Sequence, residues 1–227
     1  MKSDMEFEVE TKDCTALSDG ELADMADMVA DGPAGFDIGL LSKQRDEWVL
    51  ITQVRDNGAL RGFSFCTLER IGGTPCVLWG LASIKRCPER QVIMDSLLAD
   101  QFRKAVLAFP DEDVLVATRV RNPGAFTAFS GLEDMCPRPG YKVSGEERAW
   151  SRRLAKRFGA EGRVDDRTFL VTGDGSPGPV FDYEPEDGSV IDPAVAGLMA
   201  SVDSSRHDVL IAFGWAMAED LATRFSA

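Results

Sequence analysis

Apolar positions along the chain fall into two spacings. Short apolar runs at 48–54, 60–68, 76–84, 113–118 and 209–213 predict strands, with a further short strand near 7–10 and another at 167–171. Apolar residues three and four apart predict amphipathic helices. One carries Leu22, Met25, Ala26 and Val29. A second carries Leu98, Phe102, Ala105, Val106 and Phe109. A third carries Trp150, Leu154 and Phe158, and a fourth Val195, Leu198 and Met199. A last helix follows 209–213 and runs to Phe225.

Polar punctuation sets the ends. Ser18 and Ser144 each precede a glutamate at the third helical position, Glu21 and Glu147, which is the capping-box pattern. Asn122-Pro123 places an N-cap residue before a proline suited to the first turn. Asp56-Asn57-Gly58 and Ile71-Gly72-Gly73-Thr74 turn the chain between three consecutive strands, predicting an antiparallel meander. Residues 35–46 read as a short helix or a loop. The Gly-, Pro- and Asp-rich stretch 173–188 reads as a loop or exposed excursion.

The most informative stretch is 75–109. A buried strand turns through Lys85-Arg86-Cys87-Pro88-Glu89-Arg90 into a helix. Free helix amides and fixed positive charge then meet at one corner, where an anion can sit. A corner with solvated charges has the same sequence.

Composition narrows the classes. Net charge is −13, which argues against a nucleic-acid or anionic-membrane surface. The longest apolar run is too short to span a bilayer, and the acidic N-terminus lacks a secretory core segment, so a soluble cytosolic protein is expected. Five cysteines form no CxxC pair and are expected to be reduced, and the lone His207 offers little for a metal site. Cys87 lies in the cationic turn, where a thiolate is favoured, although an incidental loop thiol is the preferred reading. The arginine-rich helix after Ser144 is either a phosphate-binding face or a solvated one. Gly173 to Gly178 matches G-x-G-x-x-G, but no helix pattern follows, and the match is read as accidental.

The order strand, helix, three-strand meander, basic turn, helix, strand, Asn-capped helix resembles the GCN5-related N-acetyltransferase superfamily over residues 6–139. The hairpin DNGALRGFSFCTL, the segment SIKRCPERQVIMDSLL and the segment from Asn122 to Phe129 carry the resemblance. It implies an α+β fold, an α/β/α sandwich around a mixed, mostly antiparallel sheet of the acyl-CoA N-acyltransferase type. Residues 1–141 would form that core and 142–227 an extension packed on it. The resemblance further implies transfer of an acetyl or other acyl group from acyl-CoA to a small-molecule or peptide amine by direct attack on the thioester. The alternative is a non-catalytic scaffold used for binding or assembly, with a second copy of the chain as partner. No metal is implied.

In the family, the strand before the loop carries a bulge and splays from its neighbour. Its freed amides polarise the thioester, and the pantetheine arm adds to the strand edge. That role falls here to Ser83, Ile84 and Lys85. Arg86, Arg90, Gln91 and Val92 would hold the pyrophosphate, and Asn122, which opens a segment like the family's N-x-x-A-x-x-x-Y, is counted with the cofactor-binding residues. Two departures stand out. Gln91-Val92-Ile93-Met94 has none of the glycines that normally let backbone approach phosphate, and Phe129 stands where the family has a tyrosine that protonates the leaving thiolate. No catalytic residue is assigned. Glu47 and Glu69 flank the meander as candidate bases, but surface carboxylates look the same.

Overall fold

The structure, a computed structural model, describes residues 7–30, 32–186 and 188–225. The elements run β1 (Glu8–Asp13), α1 (Asp19–Val29), α2 (Ile38–Glu47), β2 (Leu50–Asp56), β3 (Ala59–Ile71), β4 (Thr74–Ile84), α3 (Arg90–Ala108), β5 (Val114–Val120) and α4 (Pro123–Phe129). They continue β6 (Glu133–Cys136), α5 (Gly145–Arg157), β7 (Leu170–Val171), β8 (Phe181–Asp182), α6 (Pro193–Met199), β9 (Val209–Ala216) and α7 (Ala218–Phe225).

Local chemistry accounts for the boundaries. Both predicted capping boxes form, Ser18 with Glu21 and Ser144 with Glu147. The Asn122 side chain accepts from the Ala125 amide at 2.8 Å, and Pro123 occupies the first turn of α4. Asn57 and Gly58 both take positive φ, as the tight β2–β3 turn requires. Residues 35–46, ambiguous in sequence, contain α2, capped by the Asp37 side chain on the Leu40 amide.

One sheet runs through the molecule in the order β1-β2-β3-β4-β8-β5-β9-β6, with β7 also on β9. Pairing is parallel among β4, β5 and β8 and antiparallel elsewhere. The fold is thus the mixed, mostly antiparallel α+β arrangement that the sequence pattern led us to expect. The helices cover both faces. Thr52 and Trp79 point to α3, where they meet Gln101. Trp79 also packs on Phe129 of α4, and Phe102 of α3 on Phe225 of α7. The neighbouring Gln53 points to the opposite face and meets Glu21 of α1. On that same side Trp48 packs against Phe158, at the end of α5.

The expected boundary at 141/142 does not mark off an extension from the sheet. β9 pairs with β5 along seven residues from Val114 to Val120, and β6 lies outside it. The last inner strand of the sheet therefore comes from beyond residue 142. Residues 137–208 are an excursion made between two adjacent strands. That excursion returns to the sheet at β8, within the stretch that reads from sequence as an exposed loop. Phe181 and Asp182 are instead buried.

Candidate functional site: the fork between two parallel strands

β4 and β5 begin as parallel neighbours, pairing at Cys76↔Leu115, Val77↔Val116 and Leu78↔Ala117. They then part. The cause lies on β4, where Phe65 of β3 pairs with Leu81 and Cys66 with Trp79, leaving Gly80 as an extra, bulged residue. A bulge increases local twist and turns the strand away from its neighbour. The sequence resemblance places this feature nearer Ser83–Lys85. The Lys85 amide is in fact bound to the Arg61 carbonyl at 2.8 Å, continuing the β3–β4 ladder, and is not free.

Glycine at the bulge is a packing requirement. A Cβ on Gly80 would lie 1.9 Å from the Trp48 indole. The Gly80 carbonyl accepts from Arg119 Nη2 at 2.7 Å. Arg119 is 7% exposed and has no carboxylate within salt-bridge distance among the described residues. Its guanidinium stacks 4.6 Å from the Phe158 ring centroid. Burial lowers its pKa to about 10, partly offset by the charge of Glu47. Trp48, Phe158 and Arg119 thus close the α1 side of the bulge.

The fork itself is filled by the chain. β8 lies between the parted strands, parallel to both, with Phe181 opposite Ala82 and Val120 and Asp182 opposite Ser83. The Ala82 amide donates to the Val180 carbonyl at 3.3 Å. Phe181 enters the aromatic cluster of Trp79 and Phe129, with centroids at 5.3 and 6.4 Å.

Most predicted cofactor residues converge on this segment. Ser83 Oγ donates to Asp182 Oδ2 at 2.8 Å. Arg86 bridges Asp182 and Glu184. Arg90 donates to the carbonyls of Glu184 and Pro185 at 2.9 and 2.6 Å. Asn122 Nδ2 donates to the Tyr183 carbonyl at 3.2 Å, and the Tyr183 hydroxyl donates to Gln91 at 3.1 Å. Three predicted residues behave otherwise. Ile84 is buried in the sheet, Lys85 is exposed, and Val92 is 52% exposed on the outside of α3. With the donors of Ser83, Arg86, Arg90 and Asn122 engaged by 182–185, the fork in this conformation does not accommodate a pantetheine arm.

Electrostatics follow burial. Desolvation raises the Asp182 carboxyl above its ordinary value, against the lowering effects of Ser83 and Arg86. Burial likewise raises the Cys87 thiol, so the cationic turn does not supply a thiolate. Of the candidate bases, Glu69 is held by Arg157 Nε at 2.6 Å and sits opposite Cys76. That is roughly 20 Å of strand from Ala82. Glu47 accepts from Gln44 at 3.0 Å. Arginines of α5 are also engaged: Arg148 and Arg152 with Asp166, Arg157 with Glu69, and Arg153 over Trp150. Phe129 is 2% exposed and packs against Trp79. Among the described residues no group of three His, Cys, Asp or Glu side chains is placed to hold a metal ion, and no helix is long and apolar enough to cross a membrane.

Beside the filled fork, between α3 and α4, lies a cavity of about 880 Å³. Arg90, Gln91, Tyr183 and Pro185 line it together with Phe102 and Phe225.

No protein-family model matches the sequence, and no curated protein sequence matches it. Similar solved structures include N-acetyltransferases. The ribosomal-protein-S18-alanine N-acetyltransferase from Escherichia coli is 10% identical, with a TM-score of 0.48 over 92% of this chain and 95% of that one. An N-acetyltransferase from Staphylococcus aureus Mu50 is 13% identical, with a TM-score of 0.40 over 60% and 92% of the two chains. An aminoglycoside N-acetyltransferase solved with CoA is 12% identical, with a TM-score of 0.38 over 70% and 90%.

Proposed function

We propose that this chain is a divergent member of the GCN5-related N-acetyltransferase superfamily, and that it transfers an acyl group from acyl-CoA to an amine when its fork is free. The observation that supports this most is the fork. β4 and β5 part at a bulge, and Ser83, Arg86, Arg90, Gln91 and Asn122 gather where they part. These are donors suited to an extended, carbonyl-rich arm ending in negative charge. The acceptor is a small-molecule or peptide amine, and the protein acts in the cytosol. Calorimetry with acetyl-CoA on a form with an opened fork tests the reading. Micromolar binding supports it, and no heat with acetyl-, succinyl- or longer acyl-CoA counts against it.

A second reading, a non-catalytic scaffold used for binding or assembly, draws on the closed state. Val180, Phe181 and Tyr183 are 2%, 1% and 6% exposed. Exposing them again costs about 1.5–3 kcal/mol each, roughly 5–9 kcal/mol together as an upper estimate. A micromolar ligand brings about 8 kcal/mol. The two magnitudes are comparable, so closure removes most of a cofactor's apparent affinity. Phe129, which has no proton to give, and the closed face at Trp48 and Arg119 favour the same reading. Analytical sedimentation tests its assembly part, because a concentration-independent monomer removes it.

A further inference from the structure

We infer that segment 180–185 is the resident ligand of the fork, an internal strand that stands in the place of the pantetheine arm and must leave before acyl-CoA enters. This rests on the acyl-CoA reading of the fork. The geometry points to a mimic and not to passive filling. The backbone extends the edge of β4, as the Ala82 amide bonded to the Val180 carbonyl shows. The carbonyls of Tyr183, Glu184 and Pro185 receive Asn122 and Arg90. The carboxylates of Asp182 and Glu184 bring two negative charges to Arg86, at the corner where a pyrophosphate would present its own. The segment therefore supplies carbonyls along the fork and negative charge at its mouth, the two chemical features that the predicted binding residues recognise.

Its connections allow withdrawal. Upstream, residues 173–179 form a loop in which Gly175 takes a φ of +87°. Downstream, Val190 is 94% exposed and α6 begins only at Pro193. No helix has to unwind for 180–185 to leave. The cavity between α3 and α4 adjoins Tyr183 and Pro185, so a departing segment would join that space to the fork.

Two variants separate the possibilities. Phe181→Ala weakens the segment's hold on the aromatic cluster. Ala82→Cys combined with Phe181→Cys places thiols on paired residues of adjacent strands while keeping the Ser83 donor, so that diamide oxidation locks the segment and reduction frees a weakened one. Each form is titrated with acetyl-CoA by calorimetry, and deuterium exchange is followed over 180–185. We expect the reduced pair and Phe181→Ala to bind at least about tenfold more tightly than the unaltered chain, tenfold being about 1.4 kcal/mol. We expect the oxidised pair not to bind, and acetyl-CoA to speed exchange at 180–185. If Phe181→Ala does not fold, the cysteine pair answers alone. An oxidised pair that binds as well as the unaltered chain overturns the internal ligand and leaves the acyl-CoA reading standing. No heat from any form, with fast exchange at 180–185 in the reduced pair, overturns the acyl-CoA reading, because the fork would be open and still empty. Slow exchange in every weakened form overturns the claim that the segment can leave.

Discussion

Ser83 and Asp182 lie 99 residues apart in the chain, yet the serine hydroxyl donates to the buried carboxylate at 2.8 Å across paired strands. The contact joins the end of β4 to an excursion that sequence pattern reads as loop. It fixes the state of the fork, since the same carboxylate also meets Arg86.

Gly80→Ala is expected to destabilise the protein by about 3 kcal/mol in urea unfolding, because the added methyl would overlap the buried Trp48 ring. Trp48→Leu should remove part of that penalty, so the two changes together cost less than their sum. Additive costs would show that the indole does not pack over the bulge.

Phe129→Tyr places a hydroxyl where the family proposed for this chain has one. It is expected to lower stability by about 1–3 kcal/mol, because the side chain is buried against Trp79 and Phe181 and the added hydroxyl is taken out of water there. A tyrosine variant as stable as the unaltered chain, with its hydroxyl titrating normally, would place the ring at the surface instead.

Glu21 links α1 to the sheet. Burial alone would raise its carboxyl, but hydrogen bonds from Lys12, the Ser18 backbone and Gln53 outweigh it and hold the pKa at about 2, against 4.5 for a free glutamate. A depressed folded value means that the stabilisation is complete above about pH 4.5 and is lost as pH falls toward 2. Glu21→Gln should therefore cost about 1 kcal/mol at pH 7, a modest figure because the pair is partly open to water. The two proteins should converge in thermal stability by about pH 2. A difference that persists unchanged at that pH would assign the loss to packing.

The cysteines report on burial. Desolvation pushes Cys14, Cys66, Cys76 and Cys136 up to about 12 and raises Cys87 less strongly. In native protein at pH 8, Cys87 should react first with iodoacetamide, yet more slowly than a free thiol, and the other four only on unfolding. Rapid alkylation at Cys87 would contradict the burial found at the turn.

Much of the frame was legible because its signals are local. Ser18, Ser144 and Asn122 sit within three residues of the amides they cap, and the Asn57-Gly58 turn is set by its own backbone. The gathering of charge at Arg86 and Arg90 was legible, since these residues are close in sequence, but their partners on 182–185 were not. The bulge at Gly80 was not, because it exists only through the register of β3 against β4 and the indole of Trp48. β8 was not legible either. Two residues carry no periodicity, and Gly, Pro and Asp on both sides read as turn. The burial of Phe181 comes from Trp79 and Phe129, which are distant in the chain. The place of β9 was missed for a similar reason: its own run predicts a strand, but only pairing with β5 makes it an inner one.

Residues 180–185 occupy the fork, and that occupancy sets what the fork can bind. The backbone amide of Ala82 tests it most directly, because that donor points between β4 and β5 and is bonded to the Val180 carbonyl. Residue-resolved hydrogen exchange in the unaltered chain should find this amide protected by about a thousandfold or more, with protection falling in Phe181→Ala. An Ala82 amide that exchanges in the unaltered chain as fast as an exposed loop amide would contradict the account.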